Sequence, residues 1–253
     1  MTVRARFAQA LPDALVDALR PALSALSALL HAGSNVECPV CGGHFASFVA
    51  LDPDRPFAQC PRCRVLERHR ALWIFLQRRT DLFDGRVKSV LHIAPERFLQ
   101  EKLQQEPGIQ YLSGDLLAQH AMVKLDVTRL QFDDSSFDVI FCSHVLEHVD
   151  DDKAAMRELL RVLRPGGWAI LDAPINPALE DTFEDWSVTT PEGRLRVFGQ
   201  VDHVRVFGRD YPDLLRAEGW LVEVDALAWT DEEIRRHGLR PNIDHIYFCR
   251  KPA

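Results

Sequence analysis

From Val87 to the C-terminus, short apolar runs alternate with stretches in which apolar positions recur every three or four residues. The runs are "VKSVLHIA" (87–94), "IQYLSG" (109–114), "AMVKLDV" (121–127), "FDVIFCS" (137–143), "GGWAILDAP" (166–174), "WLVEVDAL" (220–227) and "HIYFCRK" (245–251). Each has the length and the β-branched or aromatic content of a buried strand. Between them, "AAMRELLRVL" (154–163) keeps helical spacing until "RPGG" (164–167) breaks it. Seven strands alternating with helices predict an α/β fold, a doubly wound, mostly parallel seven-stranded sheet of Rossmann-like type. Ligands of such sheets bind beyond the carboxyl ends of the strands. Glu96, Asp115, Asp126 and Ser143 fall at those positions.

The pattern is different before Val87. From Leu11 to Leu30, Leu and Ala recur at helical spacing around Pro12 and Pro21, which predicts two short amphipathic helices. They read as a packing appendage and leave a homodimer open. Arg4 and Arg6 precede this stretch, but Asp13, Asp17 and Arg20 interrupt it, so it fits neither a signal peptide nor a membrane span. A cytoplasmic protein without a membrane partner is expected. A further helix is predicted by "LERHRALWIFLQRR" (66–79), with Leu72, Phe75 and Leu76 on one side and Arg68, Arg70, Arg78 and Arg79 mostly opposite. The expected organisation is helices over 1–35, a small module over 36–65 and the α/β domain over 66–253.

Charge and cysteines change this picture at one end. Residues 1–80 carry 10 Lys+Arg against 6 Asp+Glu, while the remainder carries 20 against 31. The whole-chain net charge of -7 gives no general pull toward nucleic acid or anionic membrane. The arginines around Cys63 form the one basic cluster, able to meet a phosphate-bearing substrate, although a solvated face is the commoner role. "CPVCGGHF" and "CPRC" place Cys38, Cys41, Cys60 and Cys63 as two C-x2-C pairs eighteen residues apart. That is zinc-ribbon spacing: two thiolates converge from each tight turn, and four complete a closed, structural tetrahedron. Two disulfides would need an oxidising compartment, which nothing in the sequence supports. Cys142 and Cys249 lie in apolar runs, as core thiols do.

"HVLEH" (144–148) matches the H-x-x-E-H zinc-protease motif. That chemistry needs both histidines on one helix. Here "FDVIFCS" runs straight into His144, at a strand-to-helix junction, so the protease reading is set aside.

The stretch "LDVTRLQFDDSSFDVIFCSHVLEHVDDDKAAMRELLRVLRPGGWAIL" (125–171) resembles the central region of class I S-adenosylmethionine (SAM) dependent methyltransferases, especially those related to quinone-biosynthesis methyltransferases. With the cysteine module, it is similar to a zinc-ribbon branch of that superfamily. The resemblance implies SAM and structural Zn2+ as cofactors. It places Asp115 at the cofactor's ribose hydroxyls, Asp126 and the Val127 backbone N–H at adenine, and Cys142, Ser143 and His144 along the methionine end. One departure lies in "LHIAPERFL" (91–99), which lacks the glycines usual after the first strand and has His92 where an acid is usual. Ala94 and Glu96 then fall to the cofactor, Glu96 accepting from its ammonium group. His148 and His203 are the candidate bases, and "FGQVDHVRVFGRDY" (198–211) sets His203 beside Gln200, Asp202 and Arg205 in an insertion suited to an acceptor pocket. Asp202 and Arg205 either orient an acceptor or pin the insertion to the sheet. The expected activity is methyl transfer to a small-molecule or carrier-linked acceptor. Two alternatives stay open: an RNA methyltransferase, since ribosomal RNA guanine methyltransferases also join an N-terminal zinc module to this fold, and a non-catalytic scaffold.

Overall fold

The computed structural model describes residues 13–53, 55–117, 121–224, 228–240 and 245–253, with the side chains of the first helix described from Leu19 onward. Arg4, Arg6 and Pro12 lie outside these residues. In chain order the first elements are α1 (Asp13–Leu30), β1 (Ala32–Cys38), β2 (Gly43–Phe45), α2 (Glu67–Arg79), β3 (Lys88–Ile93), α3 (Arg97–Gln105), β4 (Ile109–Asp115), β5 (Val123–Lys124) and β6 (Phe137–Cys142). After a single 3-10 turn at Leu146–His148 come α4 (Asp152–Val162), β7 (Leu163–Ile170), β8 (Phe183–Glu184), α5 (Pro191–Phe198), β9 (Arg205–Val206), α6 (Tyr211–Ala217), β10 (Leu221–Val224), α7 (Asp231–His237) and β11 (Tyr247–Arg250). The chain forms two compact units. One takes the chain up to Arg78 together with Trp229–Asp244, and the other takes Arg79–Ala228 with His245–Ala253. This division differs from the linear ranges 1–35, 36–65 and 66–253, because the boundary falls at the end of α2 and a distal segment joins the first unit.

In the N-terminal unit α1 is one helix, where two short ones were expected, and Pro21 lies inside it. Proline removes one backbone N–H and normally kinks or ends a helix. Here the surrounding residues are largely exposed, so water can satisfy the freed carbonyl. Leu19, Leu23, Leu26 and Leu30 of α1 are also exposed. β1 and β2 form an antiparallel hairpin with Cys38 opposite Gly43. On α2, Leu72, Phe75 and Leu76 are buried as the periodicity predicts, but so is Arg70, with no exposed surface. Its Nε donates to the His237 carbonyl at 2.6 Å, its Nη1 to Ala58 and Val65, and its Nη2 to Phe57 and Gly238. The guanidinium also lies 3.8 Å from the Phe48 ring centroid. A buried charge is tolerable only when its donors are satisfied, and here five carbonyls do so. Arg70 is therefore a structural staple that holds the α7 segment, and it is withdrawn from the basic face expected of α2. Gly238 ends α7 at φ +57, where a Cβ would meet Phe48 Cδ2 at 2.8 Å and Arg70 Nη2 at 3.0 Å.

The second unit is the expected doubly wound sheet, in the order β10-β11-β7-β6-β3-β4-β5. Neighbours from β5 through β7 are parallel, while β11 is antiparallel to both β7 and β10. Strand order reverses between β3 and β6, the switch point at which such sheets bind ligands. All seven predicted runs contribute a strand, most with trimmed edges, while β4 runs one residue further and β7 begins three residues earlier than predicted. "AMVKLDV" shrinks to the two-residue edge strand β5, where Met122 and Val123 are solvent-exposed. "RPGG", expected as a turn before the strand, lies within β7, and the β6–β7 register shifts between Phe137 and Val139. Close approach explains the glycine there: a Cβ on Gly167 would sit 2.8 Å from the Asp138 carbonyl oxygen.

α4 shows how the sequence builds the core. Asp151 caps its start, accepting from the Ala154 N–H at 2.8 Å, and Ala155, Met156, Leu159 and Val162 recur on one fully buried face. They join the cluster that includes Ile140, Leu171, Tyr211 and Trp220. Truncating a leucine such as Leu159 to alanine in this setting costs about 2 to 5 kcal/mol. Between β7 and α6 the chain inserts residues 171–210, containing the short β8–β9 pair and α5, which Thr190 caps through the Gly193 N–H. No helix among the described residues is long and apolar enough to cross a membrane.

Candidate functional site

Two places gather chemistry-bearing side chains. In the N-terminal unit, the ligand atoms of Cys38, Cys41, Cys60 and Cys63 all lie within 4.8 Å of one another. Cys38 Sγ is 3.6 Å from Cys63 Sγ, and Cys41 Sγ is 3.8 Å from Cys60 Sγ. These exceed a disulfide bond of about 2.05 Å. They match the edge of about 3.8 Å for a tetrahedron of sulfurs at metal bonds of about 2.3 Å. The two knuckles are built alike. The Gly42 N–H donates to the Cys38 carbonyl and the Arg64 N–H to the Cys60 carbonyl, with φ +64 at Gly42 and +63 at Arg64. Glycine takes this left-handed position freely; Arg64 takes it at a cost of order 1 to 2 kcal/mol. Hydrogen bonding among the thiols, from Cys41 onto Cys38 and from Cys38 onto Cys63, joins with burial to raise the pKa of Cys38 and Cys63. Four thiolates cannot share this space without a cation.

In the sheet unit, the carboxyl ends of β5, β4, β3 and β6 carry the second group. After β3, Ala94 adopts φ +47 and its N–H donates to the Gly114 carbonyl at 2.9 Å. The loop thus makes, with an alanine, the left-handed corner that a glycine usually supplies. Glu96 is the N-cap residue of α3 and accepts from His92 Nε2 at 2.8 Å, while His92 Nδ1 lies 3.0 Å from the Tyr111 hydroxyl. His92 is completely buried. The residue standing where an acid was expected therefore positions Glu96, an arrangement the sequence did not announce. Asp115 ends β4, and its Oδ1 accepts from the Leu117 N–H at 2.6 Å. Gly114 beside it leaves no room for a side chain, since a Cβ would lie 2.0 Å from Leu125 Cδ2. Asp126 is exposed beyond β5, and its Oδ1 accepts from the Thr128 N–H and hydroxyl. Val127 is buried beside it. At the end of β6, Cys142 is enclosed in the core, and burial raises its thiol pKa. Its side chain cannot line an open site, so only its backbone can meet a ligand. Ser143 is 7% exposed, with an Oγ that has no hydrogen-bond partner. His144 turns the chain at φ +57 and donates its N–H to the Asp172 carbonyl.

The turn beyond His144 brings both candidate bases together with residues from the insertion. The His148 and His203 rings pack edge to face with centroids 4.7 Å apart. His148 Nδ1 lies 3.4 Å from Asp202 Oδ2, and the Val204 N–H donates to the Glu147 carbonyl at 2.9 Å. Burial, reinforced by His148, lowers the pKa of His203. Arg205 is 1% exposed, and it donates to the carbonyls of Leu146 at 2.6 Å, Val149, and Asp150 at 3.0 Å, and to Glu184 Oε1 at 2.7 Å. With its donors committed, Arg205 pins the insertion to the loop after β6. Of the two readings offered for it, the geometry carries the pinning one. Glu147 escaped attention in the sequence, where only the five-residue motif pointed to it, yet it is 2% exposed and faces the histidines.

Residues 88–171 match the family model described as a methyltransferase domain. Among curated relatives, a demethylmenaquinone methyltransferase of Mycolicibacterium gilvum is 38% identical over 134 residues, spanning 50% of this chain and 57% of that protein. A ubiquinone/menaquinone biosynthesis C-methyltransferase of Idiomarina loihiensis is 37% identical over 68 residues, 26% of this chain and 27% of the relative. Among solved structures, a SAM-dependent methyltransferase from Mesorhizobium loti aligns at TM-score 0.49 and 20% identity, covering 72% of this chain and 98% of that one. The chain thus spans about half or less of the lengths of these two curated relatives. Glu96, Asp115, Asp126, Val127, Cys142, Ser143, His144 and His148 all fall inside the methyltransferase-like segment. The four cysteines and His203 fall outside it.

Proposed function

We propose that the protein is a SAM-dependent methyltransferase acting on a small-molecule or carrier-linked acceptor. The observation that carries this reading is the row of polar groups beyond four neighbouring parallel strands of the methyltransferase-like segment: Glu96 after β3, Asp115 ending β4, Asp126 after β5 and His144 after β6. The residues present fit the cofactor. Ser143 Oγ is buried without a partner, and the left-handed Ala94 opens the β3 loop where the backbone must approach a ligand. Asp115 would accept from the ribose hydroxyls, and Asp126 with the Val127 N–H would hold adenine. Ala94, Glu96, Ser143, His144 and the Cys142 backbone would border the methionine end. When bound, SAM supplies an electrophilic methyl group. The chain's own contribution is to align the acceptor, and positioning of this kind supplies about 7 to 11 kcal/mol of barrier reduction. His203, which lines a cavity of about 160 Å³ and whose pKa burial lowers, is the better placed of the two histidines to accept an acceptor proton. Quinone-type acceptors, named for the curated relatives, are the first class to try.

In this reading the four cysteines hold one structural zinc, with the buried Arg70 cation offsetting part of the negative charge of a four-thiolate site. None of the six cysteines is paired in a disulfide, and a cytoplasmic setting is part of this reading. The exposed leucines of α1 are the surface a homodimer would use. The RNA alternative loses part of its motive, because Arg70 is buried, Arg78 pairs with Glu233 at 2.5 Å and Arg79 with Glu223 at 2.8 Å. Calorimetry with SAM on the full chain tests the proposal. Micromolar binding is expected, and no heat with SAM or its demethylated product leaves the scaffold reading in its place.

A further inference from the structure

We propose that Glu147, His148 and His203 form a second metal site, taking one divalent cation of the zinc class and leaving a coordination position open. One ligand atom from each of the three residues lies within 4.8 Å of the others. Glu147 and His203 are 2% and 5% exposed, and Glu147 Oε2 and His203 Nε2 have no hydrogen-bond partner. A buried carboxylate oxygen and a buried imidazole nitrogen without partners, on residues whose ligand atoms cluster this closely, leave a gap that a cation fills.

His148 also has the outer contact that metal-bound imidazoles use. Its Nδ1 is 3.4 Å from the Asp202 carboxylate, which leaves Nε2 directed to Glu147, 4.0 Å from Oε1. A carboxylate partner of this kind fixes the tautomer and orientation of a ligating imidazole. His203 Nε2, buried without a partner, is the nitrogen that ring offers to the cluster. The scaffold is held as well, because Arg205 and the Val204 N–H tie the His203 strand to the loop that carries Glu147 and His148.

Two imidazoles and one carboxylate suit Zn2+ and its first-row neighbours, and three protein ligands are the set that leaves a position for a water or substrate oxygen. His203 also lines a cavity of about 160 Å³ with Pro174, Ile175, Asn176 and Phe198, so an oxygen-bearing molecule has room beside the cation. The site does not depend on the methyltransferase reading, and a cation on His203 Nε2 would take the place of the proton-accepting role given to that ring. It reuses Glu147 and His148 of the H-x-x-E-H motif, while His144, whose Nδ1 lies 3.5 Å from the same Glu147 Oε1, stands outside the three-residue cluster.

The test is Co2+ titration of the tag-free full chain, followed by absorption spectroscopy. Zinc is first loaded to one equivalent to fill the cysteine cluster. A further equivalent of Co2+ is expected to bind with a weak visible band and without the near-ultraviolet thiolate charge-transfer band. Glu147→Gln, His148→Ala and His203→Ala should each weaken it by at least about tenfold. His148 is partly exposed, so His148→Ala decides the matter if either buried variant fails to fold. Absence of a second equivalent in the wild-type chain overturns the proposal. So does a second equivalent that survives in folded His148→Ala with unchanged affinity and spectrum.

Discussion

The four-cysteine cluster and the Glu147–His148–His203 cluster gather their side chains within the same 4.8 Å, yet they are assembled in opposite ways. The cysteines come from two tight turns of one type, each closed by a hydrogen bond from the residue after the pair back to its first cysteine. Their geometry is local, and each pair would converge in a short peptide. The second cluster needs a 3-10 turn and an insertion more than fifty residues later, and Arg205 together with the Val204 N–H holds the insertion in place. Local assembly gives a closed set of four like ligands, fit for structure. Distant assembly gives a mixed, three-sided set bordered by a cavity, fit for chemistry.

The sharpest way to break this comparison is to remove a cysteine. Cys60→Ser, or stripping metal with a strong chelator, should unfold the N-terminal unit, since zinc supplies about 10 to 16 kcal/mol in isolated finger peptides. Hydrogen exchange should then show lost protection in β1, β2 and α7 while the central strands of the sheet stay protected. Metal analysis returning no zinc in the wild-type protein would remove the cysteine side of the comparison altogether.

A smaller effect is expected at the cofactor edge. Asp115→Ala and Asp126→Ala should each weaken SAM binding about 10- to 100-fold, the range for losing a hydrogen bond to a charged group. Asp126 Oδ1 accepts two bonds from Thr128 and Asp115 Oδ1 one from the Leu117 N–H, so each loss should also loosen its own turn, Asp126→Ala the more. Equal losses of melting temperature in both variants would show that the two acids do the same structural work. At the loop after β3, Ala94→Gly should leave SAM affinity unchanged. It should raise stability by about 1 kcal/mol or less, because relief of the left-handed alanine is partly offset by the added freedom of glycine in the unfolded chain. A clear loss of stability, read by thermal melting, would mean that the Ala94 methyl is packed to advantage.

The smallest expected effect concerns the rim of the cysteine unit. Hydrogen bonding by Thr230 and then by Arg78 lowers the pKa of Glu233 to about 2. The unfolded chain, with an ordinary carboxyl, binds its proton first as the medium is acidified. The cap therefore contributes fully above about pH 4.5 and is lost as pH falls through about 2. Glu233 is partly exposed and caps only one helix, so the change should appear as faster amide exchange in α7 and not as global unfolding. Glu233→Gln should flatten that pH dependence.

Which features were legible follows from how far apart in the chain their parts lie. The seven strand runs, the α4 face with its "RPGG" stop, and the two cysteine knuckles were readable because periodicity and turn chemistry act over a few residues. Ala94 was readable only as a missing glycine; that the backbone would take the glycine-like φ regardless depended on the Gly114 carbonyl waiting in the next strand. The arginines of α2 misled for the same reason. Their spacing describes a basic face, but whether an arginine faces solvent or five carbonyls is decided by chain that arrives from Phe57 and from Gly238. By itself the sequence determined the local conformations, the strand inventory and the closed cysteine shell. The tertiary structure decided that the α7 segment belongs with the cysteines, that Arg205 is a pin, and that His203 meets Glu147 and His148. Those outcomes depend on long-range packing that no local pattern encodes, because a contact across fifty or more residues forms only when the cores on both sides of it are already folded.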